Sequence, residues 1–180
     1  MADLFLGLLN MRLNRILVSL ILLASCLGLV SCSGPEDVSV PADFKLEAEY
    51  LPGFSNWKGW KSTITADGKV LQEIHPAARQ TENRPQHEEA KNFTLTNEDL
   101  KELVVTVRES RFYTLAENYS FEVTDQPTLI LRVTMNGESH QVKVYAASYL
   151  KDKPEVRSFL RIWNEVLRKV PSPNANQKAE

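Results

Sequence analysis

The side chain best placed for chemistry in this sequence is a thiol. Cys32 ends the tetrad Leu29-Val30-Ser31-Cys32, which closes an apolar run that begins at Ile16 and follows Arg12 and Arg15. Basic residues, a short apolar stretch and small residues before a cysteine form the pattern in which the sulfur takes a diacylglyceryl group and the peptide is then cut on its N-terminal side. Cys32 would become the lipidated first residue of the mature chain. Cys26, in Leu23-Ala24-Ser25-Cys26, offers a second such site. Cutting there would leave the apolar Leu27-Gly28-Leu29-Val30 at the new end, whereas Cys32 is followed by Ser33, Gly34, Pro35, Glu36 and Asp37, so Cys32 is preferred.

The tetrad reads as a bacterial lipobox, and residues 1–31 as a lipoprotein signal peptide. An uncleaved membrane helix is the main alternative, but a span needs about 20 consecutive apolar residues. The run from Ile16 to Val30 is shorter and is interrupted by Ser19, Ser25 and Gly28. Translation is expected to start at Met11, because Met1 to Asn10 carries Asp3 and no basic residue while Arg12 follows Met11 at once. Beyond residue 31 the chain keeps 19 basic and 22 acidic residues, a formal charge of −3. That balance, without a basic cluster, argues against nucleic acid, whose binding rests on neutralised phosphates. Both cysteines lie in the signal region, so the exported part has no thiol for a disulfide, a metal site or a nucleophile once Cys32 is acylated.

The other candidate residues are weaker. His75, His87 and His140 lack the close helical spacing of an H-E-x-x-H zinc site, so no metal and no cofactor are expected. No serine sits in a G-x-S-x-G elbow. Asp125 precedes Gln126-Pro127 and reads more naturally as a turn residue than as a base. Phe54, Trp57 and Trp60, interleaved with Lys58 and Lys61, form the one aromatic cluster that could bind a glycan or a protein. The competing reading makes Trp60 a core residue and Phe54 and Trp57 the cover of a sheet edge, since large aromatics are highly buried on average.

The elements that would position these residues form one small domain over 44–170, between a tether at 32–43 and a polar, frayed tail at 171–180. Phe44, Leu46, Ala48 and Tyr50 alternate with charged residues as a half-buried strand does. A hairpin turning at Asp67-Gly68 puts Trp60, Ser62, Ile64, Val70, Gln72 and Ile74 on one face if Gly68 is left-handed in a three-residue loop. Pro76 to Lys91 is polar and reads as an exposed, mobile loop, with a short strand at Asn92–Leu95. Thr96 caps a helix, with Asp99 in the capping-box position and Leu100, Leu103, Val104 and Val107 on its apolar face. Phe112, Tyr113 and Leu115 read as an aromatic cap on the core. A second hairpin at Asn136-Gly137 sets Leu129 opposite Val144, Leu131 opposite Val142 and Val133 opposite His140. Pro154 opens a closing helix with Val156, Phe159, Leu160, Trp163, Leu167 and Val170 on its apolar stripe. The expected fold is α+β, hairpin-helix twice over: an antiparallel sheet of about four to six strands with two helices packed on one face.

From Trp60 to about Val170 the sequence resembles an uncharacterised small domain family of bacterial lipoproteins and secreted proteins. The resemblance rests on Thr63-Ile64-Thr65-Ala66-Asp67-Gly68-Lys69-Val70, the helix from Asn97, Arg111-Phe112-Tyr113-Thr114-Leu115, Tyr119, Thr124-Asp125-Gln126-Pro127-Thr128 and the Asn136-Gly137 hairpin. Members often carry a Gly/Pro/Cys-rich opening before the first hairpin. Here that place holds Pro52-Gly53-Phe54-Ser55-Asn56-Trp57, without cysteine. The resemblance implies an α+β fold at the cell surface and brings no activity with it. The expected function is that of a non-catalytic, membrane-anchored domain binding an envelope protein, with a cell-wall or polysaccharide-binding module, or an envelope hydrolase, as alternatives.

Overall fold

The computed structural model describes residues 38–55, 57–75 and 89–174. Cys26, Cys32, the polar stretch 76–88 with His87, and the chain beyond Asn174 lie outside the described residues. Among the described residues seven strands form one sheet in the order β4-β3-β2-β1-β6-β7-β5. They are β1 (Lys45–Leu51), β2 (Gly59–Thr65), β3 (Lys69–His75), β4 (Glu89–Thr94), β5 (Asn118–Tyr119), β6 (Thr128–Met135) and β7 (Glu138–Tyr145). The helices are α1 (Asn97–Glu109), α2 (Ala147–Leu150) and α3 (Pro154–Lys169), with a 3-10 turn at Phe112–Thr114. No helix among the described residues is long and apolar enough to cross a membrane.

Both hairpins have the register their turn residues dictate. Gly68 is left-handed (φ 80°), and the pairs Trp60↔Ile74, Ser62↔Gln72 and Ile64↔Val70 follow. Asn136 (φ 57°) and Gly137 (φ 79°) make the second turn, and Leu129↔Val144, Leu131↔Val142 and Val133↔His140 pair as expected. Thr96 and Asp99 close the capping box of α1, whose Leu100, Leu103, Val104 and Val107 are buried. On α3 the buried stripe is Val156, Phe159, Ile162, Trp163 and Val166. Leu160 and Leu167, expected on that stripe, are only partly buried at its flank. Lys169 near the end of α3 bonds Asp99 at 2.7 Å and Glu102 at 2.8 Å, tying α3 to the first turns of α1.

The sheet is larger than the four to six strands expected and carries a third, four-residue helix. Asn118–Tyr119, read as loop, pairs in parallel with Lys143–Val144. The strand before α1 starts at Glu89 rather than Asn92 and pairs with β3 from Lys69 to Ile74. Both ends of the domain are also tied down further than the residue pattern suggests. Val38 and Val40 pack against the core, and Asp43 accepts bonds from the amides of Asn136 and Gly137 at 2.9 and 2.6 Å, capping the second turn. Toward the other end, the Asn174 side chain bonds both backbone groups of Lys58, at 3.0 and 2.8 Å, as a strand partner would.

One face of the sheet meets the helices and the other faces solvent. On that open face Glu47, in the central strand, lies between Lys45 at 3.0 Å, Lys61 at 3.3 Å and Arg132 at 2.7 Å. Burial opposes its ionisation, but the bonds from Lys45, Arg132 and Lys61 outweigh that and hold the carboxyl at about 2, from an ordinary 4.5. A depressed folded-state value means the stabilisation is complete above about pH 4.5 and is lost as pH falls toward 2. Glu47→Gln should therefore cost on the order of 2 kcal/mol at neutral pH. The gap between variant and wild type in urea unfolding should close near pH 2; a gap unchanged at that pH would mean the charge is not what stabilises.

Candidate functional site

Where β1 ends and β2 begins, Tyr50 and Trp60 sit opposite each other and their rings stack at 6.2 Å. Trp60 stacks in turn on Trp163 of α3 at 5.3 Å, and Trp163 on Phe159 at 6.2 Å. Trp60 is only 2% exposed. It is a core residue, and of the cluster Phe54, Trp57 and Trp60 it is the member that no ligand can reach. Trp57 is half-buried against Tyr50, its ring 6.2 Å away. Phe54, at 63%, is the most exposed large apolar side chain described.

Phe54 belongs to a wider surface. The C-terminal end of β1, the N-terminal end of β6 and the C-terminal end of β7 coincide, because β6 runs antiparallel to both neighbours. Among the described residues, this end carries four of the five exposed large hydrophobics: Leu51 (39%), the last residue of β1, Phe54 and Phe121 (43%) in loops, and Tyr149 (54%) in α2. Phe121 and Tyr149 stack on each other at 5.1 Å, with 11° between their planes. The fifth, Leu71, lies in β3 on the open face.

Two backbone features hold these loops. Gly53 lies so close to the loop before β6 that a methyl group there would be 2.3 Å from the carbonyl oxygen of Asp125. Asp125 itself is left-handed (φ 60°), a conformation that Asp tolerates better than most residues, which supports its reading as a turn residue. The Tyr145 hydroxyl then donates to Val123 O at 2.8 Å and accepts from the Gln126 amide at 3.3 Å, stapling that loop to the end of β7. The opening around Gly53 and the turn around Asp125, two segments far apart in sequence, thus meet at one end of the sheet.

Of the histidines, His75 ends β3, and His140 bonds Leu115 O at 2.9 Å and meets Phe112 edge to face at 5.5 Å. That is the environment of a structural histidine at the core's edge. Among the described residues no three His, Cys, Asp or Glu side chains gather as a metal site would require. Sequence reasoning missed Leu51, Phe121 and Tyr149. The signal it could have used is Tyr149, a large aromatic four residues past the end of β7, with Lys151, Asp152 and Lys153 close behind it.

A family model described as a domain of unknown function, DUF6438, matches residues 60–164. The chain belongs to the DUF6438 family. No curated protein matches it significantly. The matched part of this DUF6438 domain begins at the first residue after Gly59 and leaves out β1, although β1 is the strand that lies between β2 and β6. It contains Phe121, Asp125 and Tyr149 but neither Gly53 nor Phe54. The aromatic end of the DUF6438 domain is therefore assembled half from family sequence and half from residues that precede it.

Proposed function

We propose that this chain is a lipid-anchored protein of the bacterial cell envelope, held by a diacylglyceryl group on Cys32, whose domain binds another envelope protein through its aromatic end. The observation that carries the binding half is the grouping of Leu51, Phe54, Phe121 and Tyr149, all exposed, at one end of the sheet. Exposed apolar side chains gathered in one place mark interaction sites, and aromatics are enriched among the residues that dominate binding energy. The sequence pattern around Cys32 supports the anchor half. Each buried methylene contributes about 0.8 kcal/mol and two chains suffice for stable anchoring. The first prediction is that Cys32→Ser moves the protein from the membrane fraction to the soluble fraction or leaves it unprocessed. A mutant still cleaved and still released only by detergent would rule the anchor out.

The binding half is tested by crosslinking in intact cells followed by purification of the tagged protein. A partner recovered reproducibly with the wild type and lost with Tyr149→Ala or Phe54→Ala is the expected result, with an affinity loss of tenfold or more for at least one variant. A second reading, a glycan-binding module, draws on the near-parallel Phe121 and Tyr149 rings, since exposed aromatic faces also stack on sugars. Retention of the purified protein on cell-wall sacculi, without a protein partner, would favour it.

A further inference from the structure

A cleft of about 390 Å³, which shares no residue with the aromatic end, opens between the last turn of α1 and the first turn of α3. Its size is within the range of small-molecule sites. Glu109, Ser110, Arg111, Glu155 and Ser158 are among its lining residues. Three observations about them converge.

Ser110 is 4% exposed, and its Oγ is the one buried side-chain polar atom among the described residues without a hydrogen-bond partner. A buried hydroxyl left unpaired is costly, so such a group calls for a partner that enters from outside. Arg111 follows it in the left-handed region (φ 50°), a conformation few side-chain-bearing residues adopt. That kink ends the helical path of α1 and sets an exposed guanidinium at the cleft with no ion pair among the described residues. The third observation is the start of α3. Pro154 has no N–H, and Lys153 at the cap position supplies no side-chain bond, so the first-turn amides of this 16-residue helix lack a capping acceptor.

Two carboxylates share the cleft with these donors. Glu109 is paired with Arg161. Glu155 has no such partner among the described residues. A phosphate or sulfate would face that free carboxylate, whereas a ligand bearing both signs would satisfy each group. Nothing activates the Ser110 hydroxyl, which no base touches, so the arrangement suits binding rather than catalysis.

We propose that this cleft binds a small zwitterion, an α-amino acid or short peptide, with its carboxylate held by Arg111, the Ser110 hydroxyl and the first-turn amides of α3, and its ammonium held by Glu155. Arg suits the carboxylate because its planar fork accommodates both oxygens. The proposal stands independently of the anchor and of the partner-binding end.

The test is calorimetric titration of the full chain in detergent with alanyl-alanine, as L,L and D,D isomers, and with acetate and ethylamine as half-ligands. Saturable binding of a dipeptide, weakened at least tenfold by Arg111→Gly and by Glu155→Gln, is the expected result. Glycine keeps the left-handed backbone at 111, so that variant removes the guanidinium without straining the fold. Ser110→Ala should also weaken binding while leaving the free protein at least as thermally stable as wild type. Acetate binding as tightly as the dipeptides would reduce the cleft to a simple anion site and overturn the zwitterion assignment. Failure of both dipeptides to bind, or binding untouched by either variant, would overturn the site itself.

Discussion

Trp60→Ala should lower the unfolding free energy by about 3–5 kcal/mol, the usual range for deleting a buried aromatic ring. The ring is stacked between Tyr50 and Trp163, so its loss opens a cavity where β1, β2 and α3 meet, and the surrounding backbone is too well paired to collapse into it. Phe54→Ala, by contrast, removes a ring that is 63% exposed and should change stability by less than about 1 kcal/mol. Guanidinium unfolding of the two variants side by side separates their roles. Equal losses would mean that Phe54 is packed as tightly as Trp60 and would remove it from the proposed interaction surface. A small loss for Trp60 would contradict the stacked core described above.

Gly53→Ala is expected to be nearly as damaging, at about 2–3 kcal/mol, although it adds a single methyl group. The methyl would meet the carbonyl oxygen of Asp125 at 2.3 Å and its carbon at 2.5 Å. These are backbone atoms, and the Asp125 loop is held by Tyr145 on its other side, so no flexible side chain can swing away. Relief requires the two loops to part, which would also spread the aromatic end. The variant should therefore both melt earlier and lose the crosslinked partner even under conditions where it is fully folded. Normal stability would show that the loops separate at little cost and that their contact does not define the surface.

Local chemistry accounts for most of the fold that could be read from residues alone. Asn136-Gly137 and Asp67-Gly68 each favour a left-handed turn, and once the turn is set the alternation of apolar residues leaves one register for each hairpin. Thr96 and Asp99 announce the start of α1 in the same local way. The seat of β1 was not legible, because its pairing with β6 joins strands that are distant in sequence and no turn residue encodes it. Glu47 illustrates the consequence: the alternation of β1 places it on the polar face, but its burial follows from Arg132 arriving across that unforeseen seam. On α3, leucines, isoleucines and valines suit the stripe and its flank equally well, so Ile162 and Val166 were not distinguishable from Leu160 and Leu167 by hydrophobicity. Among the aromatics, Trp57 and Trp60 differ in burial because Trp60 is inside β2 and faces α3 while Trp57 precedes the strand. The cleft was hidden for another reason. Ser110 reads as an ordinary polar residue at a helix end, and its burial is set by tertiary packing that no local pattern encodes.

The seam between β1 and β6 also governs the order in which the chain can become safe from misassembly. β1, β2 and β3 pair with their neighbours in sequence, and so do β6 and β7, so each group can form early. The bond ladder from Lys45↔Thr134 to Leu51↔Thr128 must wait until the intervening chain has been made and folded back. Until then both β1 and β6 present a bare edge, with the apolar Leu46, Ala48 and Tyr50 beside one and Leu129, Leu131 and Val133 beside the other. Bare edges of that composition pair readily with other chains. A fragment stopping short of Thr128 would keep its edge permanently and would accumulate as aggregate, however well its first hairpin had formed.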